Sequence, residues 1–142
     1  MRLIALLMLP SLAFAAPVPK KFEKPDVELT LSAQNQLELE ITIHNNGKAP
    51  LELSYRFSPF DQIDVELLGE KGKKHTIRHH ADNDEKETPG TLTILAGESK
   101  TLTIHTCHSL PELGEPGQKV TFTARLKYDG KTTVSEPLTV KP

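Results

Sequence analysis

From Asp26 onward, apolar and polar side chains take alternate positions, and this pattern constrains the chain more than any other feature. Val27, Leu29 and Leu31 alternate with Glu28, Thr30 and Ser32. Leu37, Leu39, Ile41 and Ile43 alternate with Glu38, Glu40, Thr42 and His44. Leu51, Leu53 and Tyr55 alternate with Glu52, Ser54 and Arg56. A period of two sends one row of side chains to a core and the other to water, which is the mark of a half-buried strand. An amphipathic helix repeats every 3.6 residues and cannot produce it. Weaker copies follow at Ile63-Val65-Leu67, Leu92-Ile94 and Leu102-Ile104. Val120, Phe122, Ala124, Leu126 and Tyr128 form a long one, and Val134, Leu138 and Val140 close the chain. Leu39, Ile41 and Phe122 are therefore predicted to lie in a dry interior.

Turn chemistry falls between the runs. Asn45-Asn46-Gly47, Gly69 to Gly72, Pro89-Gly90 and Ala96-Gly97-Glu98 each separate two of them. Asp129-Gly130 is a two-residue hairpin signal, with Gly supplying a positive φ. The last run contains a conflict. Glu136 falls on the inward parity of Val134 and Leu138, and Pro137 cannot donate to a ladder, so a bulge or kink at a sheet edge is predicted there. Ser109 to Gly114 carries Ser-x-x-Glu followed by Gly and predicts a single capped helical turn. Roughly seven to nine short strands with such spacing make an all-β, immunoglobulin-like sandwich of two antiparallel sheets, with that helical turn in a crossover.

The N-terminus reads differently. Arg2 provides a positive start, Leu3 to Leu12 is apolar apart from Pro10 and Ser11, and Ala13-Phe14-Ala15 is a small-x-small cleavage site. Residues 1–15 are expected to be a secretory signal peptide. They are too short for a membrane span, which takes about 20 apolar residues. Residues 16–25, with Pro17 and Pro19, are expected to form an extended tether, and residues 26–142 the sandwich domain. The expected location is periplasmic or extracellular. The 17 basic and 19 acidic side chains give no global attraction to nucleic acid or anionic lipid.

Asn45-Asn46-Gly47-Lys48-Ala49-Pro50-Leu51, then Leu95-Ala96-Gly97-Glu98-Ser99, then Pro116-Gly117 opening a long strand, resemble the landmarks of bacterial immunoglobulin-like and fibronectin-like domains of exported proteins. Their order is similar to that of the BsuPI-type proteinase inhibitor domain. The resemblance spans about residues 36 to 128 and rests on turns, which hairpin geometry demands in many sandwiches. It implies a sandwich fold and, as one alternative, protease inhibition through a rigid loop at Phe57-Ser58-Pro59-Phe60. The chain departs from the pattern in lacking Trp, with Lys119-Val120 where an aromatic is expected.

Imidazole and thiolate groups offer the other chemistry. His75, His79 and His80 share one strand-like segment, and His105 and His108 flank Cys107. If the two segments lay on neighbouring strands, His79, His105, Cys107 and His108 could ligate zinc or copper, although their spacing matches no established zinc pattern. Cys107 has three readings. Free Cys is among the most buried residue types, so burial is expected. Strand parity from Leu102 and Ile104 points it outward, as a free thiol or as the bridge of a disulfide dimer. The basic run Lys71 to His80 and the acidic run Asp82 to Glu87 read as a solvated hairpin and loop rather than a polyanion patch beside a cation loop. Phe57, Pro59 and Phe60 are either an interaction loop or a packed crossover between sheets.

No nucleophile elbow, zinc-protease motif or phosphate-binding loop is present. The sequence thus points to an exported non-enzymatic sandwich, monomeric and without a cofactor, that acts on an unidentified protein partner through end loops or an uncovered sheet edge. Metal binding and protease inhibition are the alternatives.

Overall fold

A computed structural model describes residues 25–78, 86–114 and 116–142. The proposed leader and most of the tether lie outside these residues. Ten strands form among the described residues: β1 (Val27–Ser32), β2 (Glu38–Asn45), β3 (Leu51–Tyr55), β4 (Ile63–Gly69), β5 (Lys74–Arg78), β6 (Gly90–Ile94), β7 (Ser99–His105), β8 (Val120–Tyr128), β9 (Lys131–Val134) and β10 (Leu138–Val140). One sheet has the order β1-β2-β7. The other has the order β10-β8-β4-β5, with β9 also on β8, and β3 pairs with β6. Every pairing is antiparallel.

The two-residue period sets the core. Leu39, Ile41 and Ile43 from one sheet and Val65, Leu67, Phe122, Ala124 and Leu126 from the other are fully buried. Their polar neighbours in sequence face water or its edge, as alternation requires. Leu37 departs from its expected inward place and is 53% exposed. It stands just before β2, where the Asn35 side-chain carbonyl accepts from the Leu37 and Glu38 amides at 2.8 and 3.3 Å and turns the chain.

The pair β3–β6 prolongs the pair β2–β7 past a kink. Asn45 lies opposite Glu98 and Leu51 opposite Ile94, so more residues separate the two pairs on one strand than on the other. Asn45, 2% exposed, holds the kink. Its amide donates to the Glu98 carbonyl and its carbonyl accepts from the Gly97 amide. Its side-chain Nδ2 donates to the Ala49 and Ile94 carbonyls, and its Oδ1 accepts from the Gly47 amide. The sequence marks this stretch only as a turn.

The C-terminal edge resolves its conflict by a bulge. Val134 pairs with Arg125 but Leu138 with Phe122, so the outer strand holds one extra residue. Ser135 takes the inward place: its amide donates to the Ala124 carbonyl and its Oγ accepts from the Ala124 amide. Glu136 and Pro137 are turned out to solvent. The same shift of parity exposes Val134, expected inward, at 50%. It also divides the last run into β9 and β10, which raises the strand count above the expected range. The Asp129-Gly130 hairpin forms as predicted, with φ of 45° and 71° and Tyr128 paired with Lys131.

Two short 3₁₀ turns complete the fold, at Pro59–Gln62 and Leu110–Leu113. The second was expected; its cap was not realised. Ser109 has helical φ and ψ, and its side chain makes no capping bond. The capping box instead sits at Ser58, whose extended backbone lets its Oγ accept from the Phe60 amide while Asp61 accepts from the Ser58 amide.

Candidate functional site

The two long flanks of the sandwich differ. On one, β1 lies against β8 and β9. Thr133 donates from Oγ1 to the Val27 carbonyl, and Lys131 pairs with Asp26 at 3.4 Å. Gln36 donates from Nε2 to the carbonyls of Gln118 and Val140 at 2.7 and 3.0 Å, tying the sheets together near that side.

On the other flank the edge strands are β7 and β5. Among the described residues, β7 pairs with β2 alone and β5 with β4 alone. Between them runs a groove of about 240 Å³ lined by Phe60, Ile63, Ile77, Thr103, Ile104 and His105. Phe60, Ile77, Leu102 and Ile104 pack against the core and are only half-buried; no further strand among the described residues covers them.

The register decides which backbone groups of β7 are free of β2. The Thr106 amide donates to Leu37 O and the Asn45 amide to Glu98 O, so residues 98, 100, 102, 104 and 106 turn toward β2. Ser99, Thr101, Thr103 and His105 therefore aim their N–H and C=O groups at the open side. Their side chains share the outer face and pair across it, as close non-hydrogen-bonded positions do. Thr101 Oγ1 lies 2.9 Å from Thr42 Oγ1, Ser99 Oγ lies 2.6 Å from His44 Nδ1, and His105 Nδ1 lies 3.5 Å from Glu38 Oε1.

The described His and Cys residues are placed separately. His105 ends β7 and His75 lies on β5, so the two segments border one groove from different sheets and are not hydrogen-bonded neighbours. His79 and His80 lie outside the described residues. Among the described residues, no three His, Cys, Asp or Glu side chains converge to hold a metal ion. Cys107 is exposed, against the expectation of burial. Thr106 takes the inward place instead. Its Oγ1 donates to the Gln36 carbonyl, and its carbonyl accepts from the Ser109 and Leu110 amides, which swings the next residues outward. Cys107 and His108 stand in solvent, Cys107 on the rim of a cavity of about 410 Å³ beside the Leu110–Leu113 turn.

Phe57, Pro59 and Phe60 are all half-buried, with Phe60 packed on the core. Asp61 organises the loop. Its carboxylate accepts from the amides of Arg56, Phe57 and Ser58 at 2.7, 2.9 and 3.2 Å. Arg56 stacks over the Phe57 ring, 5.3 Å from its centroid, and pairs with Glu87. That pairing raises the Arg56 pKa, and the Arg56 hydrogen bond lowers the pKa of the Glu87 carboxyl. The pair is exposed and clasps the open end of the β3–β6 ribbon, where the Thr88 amide also donates to the Arg56 carbonyl. Sequence reasoning named an uncovered sheet edge but not the strands that form it: the run at Leu102 on the edge strand β7 is no weaker than the run at Ile63 on the inner strand β4.

No family model matches the chain, and no curated protein sequence does. The BsuPI-type resemblance thus gains no support from a family model. Solved structures similar to it include the archaellum periplasmic stator protein complex FlaF and FlaG from Sulfolobus acidocaldarius, at 10% identity and a TM-score of 0.49, covering 89% of this chain and 99% of that one. A Br derivative of BhCBM56 matches at 12% identity and a TM-score of 0.37, covering 84% and 96%. The sporulation control protein Spo0M from Bacillus subtilis matches at 20% identity and a TM-score of 0.37, covering 82% of this chain and 48% of that one. None of these scores assigns the chain to a family.

Proposed function

We propose that the chain is an exported, non-enzymatic β-sandwich that works by protein contact. The observation that carries this reading is the asymmetry of the flanks. Both flanks end in edge strands, but on one β1 packs on β8 and β9, while on the other a half-buried apolar groove lies between β7 and β5. Exposed edges present a row of unmet backbone donors and acceptors, and strand addition to such an edge is a recurrent mode of recognition. No helix among the described residues is long and apolar enough to cross a membrane.

The test is capture with a short cross-linker from the native envelope, followed by rebinding of each purified candidate. A partner that rebinds at micromolar affinity or tighter is expected; failure of every candidate to rebind overturns the reading. Zinc or copper binding tighter than about 10 μM by the purified chain would move the function to the His79, His105, Cys107 and His108 set. Inhibition of a secreted protease would move it to the Phe57–Phe60 loop.

A further inference from the structure

We propose that Asn46 is a modification site guarded by the fold: it deamidates through a succinimide when the kink after β2 opens, and the isoaspartyl product cannot close that kink again. The site goes beyond the protein-contact reading, and it reacts in the same way whatever binds the open flank.

The sequence supplies the reacting pair. Of the four asparagines in the chain, Asn46 alone is followed by glycine. A main-chain nitrogen that closes on the preceding side chain is hindered by the Cβ of its own residue, and Gly47 has none. Both residues are half-buried, so water reaches the turn.

The chemistry needs the Gly47 nitrogen to give up its proton and attack Asn46 Cγ. The new N–C bond forms, the Cγ–Nδ2 bond breaks, and the departing nitrogen takes a proton and leaves as ammonia. Water then opens the cyclic imide. Opening at the former side-chain carbonyl gives aspartate with the main chain intact. Opening at the main-chain carbonyl gives isoaspartate, whose backbone runs through Cβ and Cγ and is longer by a methylene. Water is the only co-reactant, and no atom is oxidised or reduced.

The fold holds both partners back. The Gly47 amide donates to the Asp26 carbonyl at 3.0 Å and to Asn45 Oδ1 at 3.0 Å. Two acceptors favour the protonated nitrogen and oppose the anion that has to form. Asn46 is tied as well. Its amide donates to the same Asp26 carbonyl at 2.7 Å, and its Nδ2 donates to the Pro25 carbonyl at 3.2 Å and to Glu28 Oε2 at 3.4 Å. Reaction therefore proceeds from the opened turn, in which these bonds are broken. The two products then differ. Aspartate keeps the main chain and loses only the two longer side-chain bonds. Isoaspartate carries its extra methylene just before the Gly47 nitrogen and displaces that nitrogen from both acceptors. The fit there is close, since a Cβ on Gly47 would stand 3.1 Å from Asn45 Oδ1.

The experiment ages the purified chain in mildly alkaline buffer beside a free peptide of residues 42–51. Isoaspartate at position 46 is read by isoaspartyl methyltransferase labelling and mass spectrometry. The peptide is expected to react at least about tenfold faster than the folded chain, and unfolding in urea to bring the chain to the peptide's rate. Asn45→Ala removes one of the two acceptors and is expected to raise the folded-state rate at least about threefold. Asp61→Ala loosens a loop beyond the far end of β3 and is expected to leave that rate unchanged. Should Asn45→Ala fail to fold, hydrogen exchange on the unaltered chain carries the test. The Gly47 amide is expected to be protected, and its exchange and the deamidation to rise together as urea is added below the unfolding transition. The isolated isoaspartyl chain is expected to lose protection at Gly47 and at the first residues of β1, whereas Asn46→Asp keeps it. A folded chain that deamidates as fast as the peptide, a Gly47 amide that exchanges freely, equal acceleration by Asp61→Ala, or an isoaspartyl chain with the kink intact overturns the proposal.

Discussion

Replacing Asn45 by Ala should cost far more than an asparagine in a turn suggests. The side chain is 2% exposed and makes three hydrogen bonds: from Nδ2 to Ala49 O at 2.9 Å and Ile94 O at 2.9 Å, and to Oδ1 from Gly47 N at 3.0 Å. They are unequal. The Gly47 amide keeps a second acceptor, Asp26 O at 3.0 Å, so its loss is small. The Ala49 bond is partly buried. The Ile94 bond is buried, and a buried acceptor left without its partner costs about 1–3 kcal/mol. With about 1 kcal/mol for the Ala49 bond, the sum is about 2–4 kcal/mol. Urea unfolding followed by circular dichroism reads this directly. With a slope of about 2 kcal/mol per molar, the midpoint should fall by roughly 1–2 M with little change in slope. Asn46→Ala is the internal control. Its side chain makes only longer bonds, 3.2 Å to Pro25 O and 3.4 Å to Glu28, and the expected loss is under about 0.5 kcal/mol. Equal, small losses in the two variants would refute the claim that the Asn45 side chain holds the kink joining β2–β7 to β3–β6.

Three further substitutions test the two loops and the exposed thiol. Asp61→Ala removes a carboxylate shared by three consecutive amides, and a loss of about 1–2 kcal/mol is expected in the same urea assay, with NMR shifts at Phe57 reporting a loosened loop. Gly130→Ala forces a Cβ onto a backbone at φ 71° and should cost about 1 kcal/mol or slightly more; a neutral result would mean that the hairpin does not hold that conformation. Cys107 should react with a water-soluble thiol reagent in the native state nearly as fast as in urea, and Cys107→Ser should change stability by less than about 0.5 kcal/mol, whereas protection from the reagent would contradict its exposure.

Alternation made the central strands legible. β2, β4 and β8 alternate between buried and more exposed positions, so their sequence period matches their burial except at Asn45, polar and buried, and Leu68, apolar and on the outer row. Hairpins were equally readable where a positive φ restricts the residue choice, as at Asp129-Gly130. Legibility failed at strand ends and edges, where burial depends on what lies opposite. Leu37 has the inward parity and the wrong surroundings, and Val134 is turned outward by the bulge at Ser135. The cap at Ser109 has the right residues and the wrong backbone angles. Cys107 followed parity rather than residue type, because Thr106 could satisfy its hydroxyl inside and so filled the inward place.

The candidate site was the least legible part. An open flank is a relation between two sheets, and no local pattern in β5 or β7 states which strand, if any, lies beside it. What the amino-acid order settles here is local: which residues extend, which turn, and which row of each strand is oily. Which edges meet, which are stitched and which stay bare was decided only when the two sheets came together, because a strand's free hydrogen bonds are defined by the neighbour it lacks.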